Sequence, residues 1–296
     1  MSAARTARPT DAGVFRLGEG PVWDPARNRL LWVDIAGHAL HEGELDSTTG
    51  AVTRSGTRDF TAEVGAVAVA ASGELLVAER ETLTRVGLDG TRTELARVLP
   101  RGTRSRLNDG AVDPAGRFLV GSLDPRETAT SEVLVRLGRD GLTTLDADLT
   151  MSNGLAWNPA GDRLYSIDTV PGTVWVRDYD AATGATGDRH EAFRFTDDYP
   201  DGMCADADGN LWIAIWGGGR VECRSPDGRQ LATVTVDAPH TTSVTFAGPG
   251  LDLLVITTAT TGLSTADLAH HPGSGRLFTA RVDAVGLPGT YWNPAL

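Results

Sequence analysis

The chain has 296 residues and a formal net charge of −12. This acidity argues against binding to nucleic acid or to an anionic membrane, because positive charge supplies most of the affinity for both. Two cysteines are too few for a disulfide scaffold, and no apolar run is long enough for a bilayer span or a secretory signal. We therefore expect a cytoplasmic protein.

The N-terminal residues 1–13 are polar and lack any apolar period, so we predict a disordered lead here and a single domain over 14–296. Residues 14–17 are a candidate for a short strand. In a closed ring of sheets, such a terminal strand pairs with the last blade and removes an exposed edge. The expected partner is the segment 276–282, near the C-terminus.

One pattern then recurs along the chain. Each copy begins at a leading residue, continues as an apolar strand, passes through a turn and enters a second apolar strand, as in 105–122. The copies start 40 to 48 residues apart, at Glu19, Val64, Asn108, Asn153, Asp201 and Thr241. A repeat of this length, rich in short strands and turns, is typical of a β-propeller. The sequence therefore predicts an all-β fold, a six-bladed β-propeller with four-stranded antiparallel blades.

The innermost strands of a propeller converge on a central channel, so we expect the six leading residues to meet at one mouth of it. Two of them are carboxylates and two are carboxamides, which are the oxygen donors that hard divalent cations prefer. Taken singly, an Asp-Gly or Asn-Gly pair is more often a turn than a ligand. Their common phase with the repeat favours a metal site of Glu19, Asn153 and Asp201, with Asn108 close by.

Several short motifs resemble those of the SMP-30/gluconolactonase family, over about residues 14–290. They are GEGPVW at 18–23, WVDI at 32–35, RLNDG at 106–110, SNGLAW at 152–157, PDGMC at 200–204 and GGRV at 218–221. The resemblance implies a six-bladed propeller with one divalent metal bound by Glu19, Asn153 and Asp201. It also implies that Arg106 and Asn108 contact the substrate; two positions apart on a strand, they face the same way.

The segment 122–127 departs from the family pattern. Some members carry a further substrate-contacting Glu after the strand of the third blade, and here no Glu falls in register. Asp124 and Glu127 are the candidate substitutes. The departure bears on the choice of sugar more than on the reaction.

Other polar and aromatic residues have weaker cases for a role in the site. Asp34 and Asp168 end second strands, where local hydrogen bonding is the expected role. Trp216 either walls the pocket or packs at a blade end. The six histidines show no zinc spacing, so we expect His240 to be structural or to face solvent. No Gly-x-Ser-x-Gly elbow is present, which disfavours a serine hydrolase.

The function that these features and the resemblance imply is metal-dependent hydrolysis of a sugar lactone, an aldonolactone such as gluconolactone, to the aldonic acid. Asp201 is the predicted general base, with a metal hydroxide as the alternative. The cation is calcium, magnesium, manganese, iron(II) or zinc, and the expected assembly is a monomer or weak dimer. The alternatives are a hydrolase of organophosphates or other esters on the same scaffold, a non-enzymatic calcium-binding or ligand-sensing propeller, and a protein-interaction propeller.

Overall fold

The computed structural model describes residues 5–127 and 130–296. The described chain opens with two two-residue strands, β1 (Arg5–Thr6) and β2 (Arg8–Pro9), and then forms six consecutive blades. Blade one contains β3 (Gly18–Asp24), β4 (Arg29–Asp34), β5 (Ala39–Leu45) and β6 (Val52–Asp59), and blade two contains β7 (Val64–Val69), β8 (Leu75–Glu79), β9 (Thr82–Val86) and β10 (Arg92–Arg97). Blade three contains β11 (Arg106–Val112), β12 (Phe118–Leu123), β13 (Glu132–Gly138) and β14 (Gly141–Leu149), and blade four contains β15 (Ser152–Trp157), β16 (Arg163–Asp168), β17 (Thr173–Asp178) and β18 (His190–Arg194). Blade five contains β19 (Tyr199–Ala205), β20 (Leu211–Trp216), β21 (Arg220–Arg224) and β22 (Gln230–Thr235), and blade six contains β23 (Thr241–Ala247), β24 (Leu253–Thr258) and β25 (Phe278–Arg281).

Strands that follow one another within a blade pair antiparallel, and each of the first five blades contains a meander of four such strands. This confirms the predicted six-bladed β-propeller. The part of the chain that is described has one helix, α1 (Thr265–His270), between β24 and β25. None of the described residues forms a helix with the length and apolarity of a membrane span.

Ring closure uses a different segment from the one predicted. Arg8 pairs with Thr279 and Pro9 with Phe278, so β2 supplies the outer strand of the sixth blade, while β1 pairs in parallel with β22 of the fifth. The predicted partner segment is the one used, but the closing strand lies six residues earlier than 14–17. The outer strand of a blade is exposed and tolerates Pro at its edge, so it carries no apolar period for the sequence to reveal.

Residues 1–13 were expected to be disordered, but residues 5–9 contain the strands β1 and β2. Residues 1–4 lie outside the described residues. Residues 14–17 still contribute to closure. Phe15 is buried against Trp32 of the first blade, with ring centroids 5.5 Å apart, and its N–H donates to Gly275 O.

The hydrophobic core lies between blades rather than at the axis. Six clusters of buried side chains are found among the described residues, one in each interface between neighbouring blades. Alternate residues of each strand face one or the other neighbouring blade, which explains why the inner strands are apolar on both faces. This arrangement leaves an open channel at the axis.

Candidate functional site

The six leading residues all lie within the first three residues of their inner strands, at the end of the ring where the mouth of the channel was predicted, and all six are buried. Val64 packs among the apolar side chains between blades one and two. In every inner strand a β-bulge either contains the leading residue or follows it directly. The pairing register shifts between Glu19 and Val22, Val64 and Ala66, Leu107 and Gly110, Asn153 and Leu155, Pro200 and Met203, and Thr241 and Ser243. A bulge bends its strand and re-aims the side chain beside it. The candidate site is therefore built by one backbone irregularity repeated around the ring.

A chain of hydrogen bonds links blades three, four and five at this mouth. Arg106 Nη1 donates to Asn108 Oδ1 at 2.7 Å, and Asn108 Nδ2 donates to Asn153 Oδ1 at 3.2 Å. Asn153 Nδ2 donates in turn to Thr169 Oγ1 at 2.9 Å, and that hydroxyl donates to Pro200 O, next to Asp201. The network fixes both amide orientations, since each amide nitrogen faces an acceptor.

Glu19 and Asp201 are buried, and no basic side chain of residues 5–127 and 130–296 lies at hydrogen-bond distance from either carboxylate. Burial and then the charge of Asp109 raise the pKa of Glu19 to about 8, although the Gly20 N–H donates to it at 3.0 Å. Burial, then the charges of Glu19 and Asp109, raise the pKa of Asp201 well above its usual range. The charge of Glu19 contributes to the raised pKa of Asp201, as expected of two carboxylates that lie near each other.

Arg106 is the positive group beside them. Burial lowers its pKa to about 10, while the charges of Glu19, Glu63 and Asp201 act in the opposite direction. Its Nη1 donates to Leu107 O and Asn108 Oδ1 rather than to either carboxylate. The guanidinium is therefore held at the edge of the site and leaves the carboxylate oxygens available to another partner.

The donor set fits a divalent cation. Glu19 and Asp201 bring negative charge that Arg106 only partly offsets, and the Oδ1 of Asn153 has a second lone pair beyond the one used by Asn108. No group of three or more His, Cys, Asp or Glu side chains with metal-binding geometry occurs within residues 5–127 and 130–296. The predicted set has only two such residues and completes itself with an amide.

Asp109 is a third acidic residue of the site that the sequence did not single out. Burial raises its pKa to about 6, and its charge acts on both Glu19 and Asp201. Strict alternation along β11 would turn it away from the side of Asn108. The bulge between Leu107 and Gly110 breaks that alternation. Recognising the Asn-Asp-Gly sequence as a bulge would therefore have identified Asp109 as a residue of the site.

Asp124 and Glu127, the candidate substitutes for the further Glu of the family pattern, take part in local structure. Asp124 is buried and accepts a hydrogen bond from the Arg126 N–H at 3.0 Å, and Arg104 Nε lies 3.9 Å from it. Glu127 is exposed, in a left-handed backbone conformation with φ 57°. Neither is linked by a hydrogen bond of the described structure to Arg106 or Asn108.

The expected roles of the second-strand residues are confirmed. Asp34 accepts from three backbone N–H groups, of Arg16, Leu17 and Gly37, and Asp168 accepts from those of Thr150 and Met151. Trp216 packs at a blade end, where its ring stacks on His240 with centroids 4.0 Å apart.

Comparison with known proteins matches this arrangement to one family. The family described as SMP-30/Gluconolactonase/LRE-like region matches residues 17–260, which include all the leading residues. This chain belongs to that family. The SMP-30/gluconolactonase resemblance seen in the motifs is thereby confirmed.

Relatives within the family cover nearly the whole chain. The pentonolactonase XacC of Haloferax volcanii is 37% identical over 281 residues, covering 92% of this chain and 93% of the relative. Regucalcin of Xenopus laevis is 33% identical over 288 residues, covering 93% of each. Among solved structures, a calcium-binding protein, regucalcin, from Agrobacterium tumefaciens superposes with a TM-score of 0.90 at 25% identity, covering 99% of this chain and all of that one.

Proposed function

We propose that this protein hydrolyses a sugar lactone to the corresponding aldonic acid, with one divalent cation bound by Glu19, Asn153 and Asp201. The observation that carries the proposal is the pair of buried carboxylates facing an amide oxygen and a fixed arginine at one mouth of the channel. The name of the relative XacC, a pentonolactonase, supports a lactone as the substrate.

The bound cation would supply Lewis-acid polarisation of the lactone carbonyl, which is worth several kcal/mol in such sites. Asp201 is the proposed general base, taking one proton from the attacking water. The water oxygen bonds to the carbonyl carbon, the ring C–O bond breaks, and the leaving ring oxygen takes the proton held by Asp201 to become a hydroxyl, which returns Asp201 to its carboxylate form. Burial of Asp201 excludes other water from that proton transfer.

Arg106 and Asn108 have different parts in substrate binding. Arg106 uses Nη1 for its two internal bonds, so its remaining N–H groups point to substrate hydroxyls and to negative charge developing on the carbonyl oxygen. Asn108 uses Nδ2 for Ser152 O and Asn153 Oδ1, so it offers a substrate hydroxyl only the second lone pair of its Oδ1. We assign Asn108 mainly to holding Arg106 and Asn153 in place.

A pH-indicator assay on a panel of pentono- and hexonolactones tests the proposal, using protein stripped of metal and then supplied with Ca²⁺, Mn²⁺, Mg²⁺, Fe²⁺ or Zn²⁺ in turn. We expect turnover of at least one lactone that is lost on stripping and restored by one of the cations. Turnover that persists in the stripped protein would contradict the metal-dependent mechanism, and no turnover of any lactone would contradict the reaction.

A second candidate is a calcium-binding protein without turnover, and the similarity to the calcium-binding regucalcin of Agrobacterium tumefaciens favours it. The position of Arg106 argues for the enzyme, because a site that only binds a cation gains nothing from a buried guanidinium beside it. Calcium binding together with no hydrolysis across the panel would select this second candidate.

A further inference from the structure

The C-terminal residues cross the rear opening of the channel, opposite the candidate site. We name residues 285–293 the C-terminal strap. Its backbone meets four blades: Val285 O accepts from Ala207, Gly286 N donates to Leu251 O, Trp292 N donates to Val69 O, and Asn293 N donates to Gly116 O, all at 2.7 to 2.9 Å. These partners lie at the rear ends of blades five, six, two and three. The strap therefore spans the ring.

Side chains of the strap enter the interfaces between blades. Leu287 packs on the cluster between blades four and five, and Trp292 is buried in the cluster between blades two and three. Gly286 lies so close to Phe246 that a Cβ there would come within 2.3 Å of that ring. Contact this close shows that the strap is packed into place rather than laid over the surface.

Tyr291 connects the strap to the strand that carries Glu19. Its hydroxyl donates to Asp24 Oδ1 at 2.8 Å and accepts from the Ala26 N–H at 3.1 Å. Asp24 is buried and also binds the guanidinium groups of Arg27 and Arg29. Three side chains, those of Tyr291, Arg27 and Arg29, thus bind the carboxylate at the rear end of β3.

In four inner strands a polar residue at the rear end, which we name the rear anchor, lies five positions after the leading residue at the front end. Asp24 lies five residues after Glu19, and the same spacing relates Asp206 to Asp201, Asp113 to Asn108 and Asn158 to Asn153. In blades two and six, whose leading residues are Val64 and Thr241, the equivalent positions are the apolar Val69 and Phe246. Anchoring side chains therefore occur on the strands that carry the candidate site.

A cavity of about 490 Å³ separates the strap from the site. Asp109 lies in its wall on the site side, and Leu287 and Tyr291 line it on the strap side. Inner strands that border a cavity lack packing across the axis, so such packing does not fix the distance between β3 and β19, whose blades are not neighbours. The strap joins the rear ends of β3 and β19 directly, through Asp24 and through the pairing of Asp206 with Gly286.

We propose that the C-terminal strap sets the spacing of the strands that carry Glu19 and Asp201, and that Tyr291 is a positioning residue for Glu19. The inference rests on the cation site proposed above. Tyr291 touches neither cation nor substrate; it acts through Asp24 and the length of β3. Because two carboxylates must reach one cation together, a small change in strand spacing weakens binding.

The test is calorimetric titration of Ca²⁺ into stripped, full-length wild type, Tyr291→Phe and Tyr179→Phe. Tyr179 is the control: its buried hydroxyl donates to Asp113, the rear anchor of blade three, at 2.5 Å, and the strand of Asp113 carries no proposed cation ligand. We expect Tyr291→Phe to bind Ca²⁺ roughly threefold to tenfold more weakly than wild type, as coupling through packed elements allows. Tyr179→Phe should lose comparable thermal stability and keep wild-type affinity.

Equal Ca²⁺ affinity in Tyr291→Phe and wild type would overturn the proposal. Equal weakening in both variants would also overturn it, since the effect would then be a general loss of stability. Absence of Ca²⁺ binding by wild type would overturn it too, whereas Ca²⁺ binding without lactone turnover would count against the proposed reaction alone and leave the comparison of affinities decisive.

Discussion

Asn108 and Asn153, 45 residues apart in the sequence, are joined at the mouth of the channel by a hydrogen bond from Asn108 Nδ2 to Asn153 Oδ1 of 3.2 Å. The bond couples the residue proposed to hold the arginine to the residue proposed to hold the cation. Together with the bond from Asn153 Nδ2 to Thr169 Oγ1, it fixes the orientation of the Asn153 amide. That coupling and the charges around it determine how the site should respond to substitution, pH and cation.

Replacing Asn108 by Ala removes the acceptor for Arg106 and the donor to Asn153 together. We expect kcat/KM for the lactone to fall about tenfold to a hundredfold, the range seen when groups that orient metal ligands are removed. Steady-state kinetics on the preferred lactone check this. Asn158→Ala is the matched control, because Asn158 binds only its own turn at the rear of the next strand; a loss of the same size there would contradict the assignment.

The variant Asp201→Asn distinguishes the destabilisation caused by the buried charge from the contribution of that charge to cation binding and turnover. Without a divalent cation, we expect the variant to unfold at a higher temperature than wild type, because an unpaired buried carboxylate destabilises the fold. With saturating cation the order should reverse, and turnover should fall about a hundredfold to ten-thousandfold. Thermal denaturation with and without cation measures the crossover. Wild type more stable than Asp201→Asn under both conditions would contradict it.

The pH dependence of stability should change sign with the cation. The pKa of Glu19 is raised from 4.5 to about 8 in the folded protein. Its contribution to the stability of the stripped protein is therefore fully present below pH 4.5 and lost as the pH rises to about 8. Since the cation competes with that proton, it should stabilise the protein more at pH 8 than at pH 5. Denaturant unfolding at both values of pH, with and without Ca²⁺, checks this; a cation effect independent of pH would contradict it.

Removing residues 1–13 should destabilise the ring. The deletion takes away β1 and β2 and leaves the outer edge of β25 unpaired. We expect a lower melting temperature and a tendency to associate through the open edge. Thermal denaturation and size-exclusion chromatography measure both effects, with a deletion of residues 1–4 as the control. Wild-type stability in the longer deletion would show that 14–17 suffice for closure.

The repeat predicted the blades because a period of 40 to 48 residues, and the turn chemistry within it, is written in local sequence. Glu19, Asn153 and Asp201 were predicted as one site for the same reason, since they share a phase in the repeat, and that assignment stays a prediction. The closing strand at Arg8–Pro9 was not found, because an exposed edge strand needs no apolar residue. Asp109 was not found either, because its direction depends on a bulge that breaks the alternation of β11.

The position of the C-terminal strap is the feature of the structure that the local sequence predicts least. Residues 285–293 contain Pro288 and Gly289 and have no period of their own, so the sequence indicates only a loop. Their placement comes from contacts with partners far away in the chain, such as Val69 and Gly116. Only the assembled ring creates the opening that they cover.

The central claim is that Glu19, Asn153 and Asp201 bind one cation together. A crystal structure of the protein loaded with Mn²⁺, with an anomalous difference map that locates the metal, tests it most directly. The account predicts one strong anomalous peak at the front mouth, within about 2.0 to 2.6 Å of a carboxylate oxygen of Glu19, a carboxylate oxygen of Asp201 and the Oδ1 of Asn153, as oxygen ligands of such cations require. A peak elsewhere in the molecule, or a front mouth without one, would contradict it.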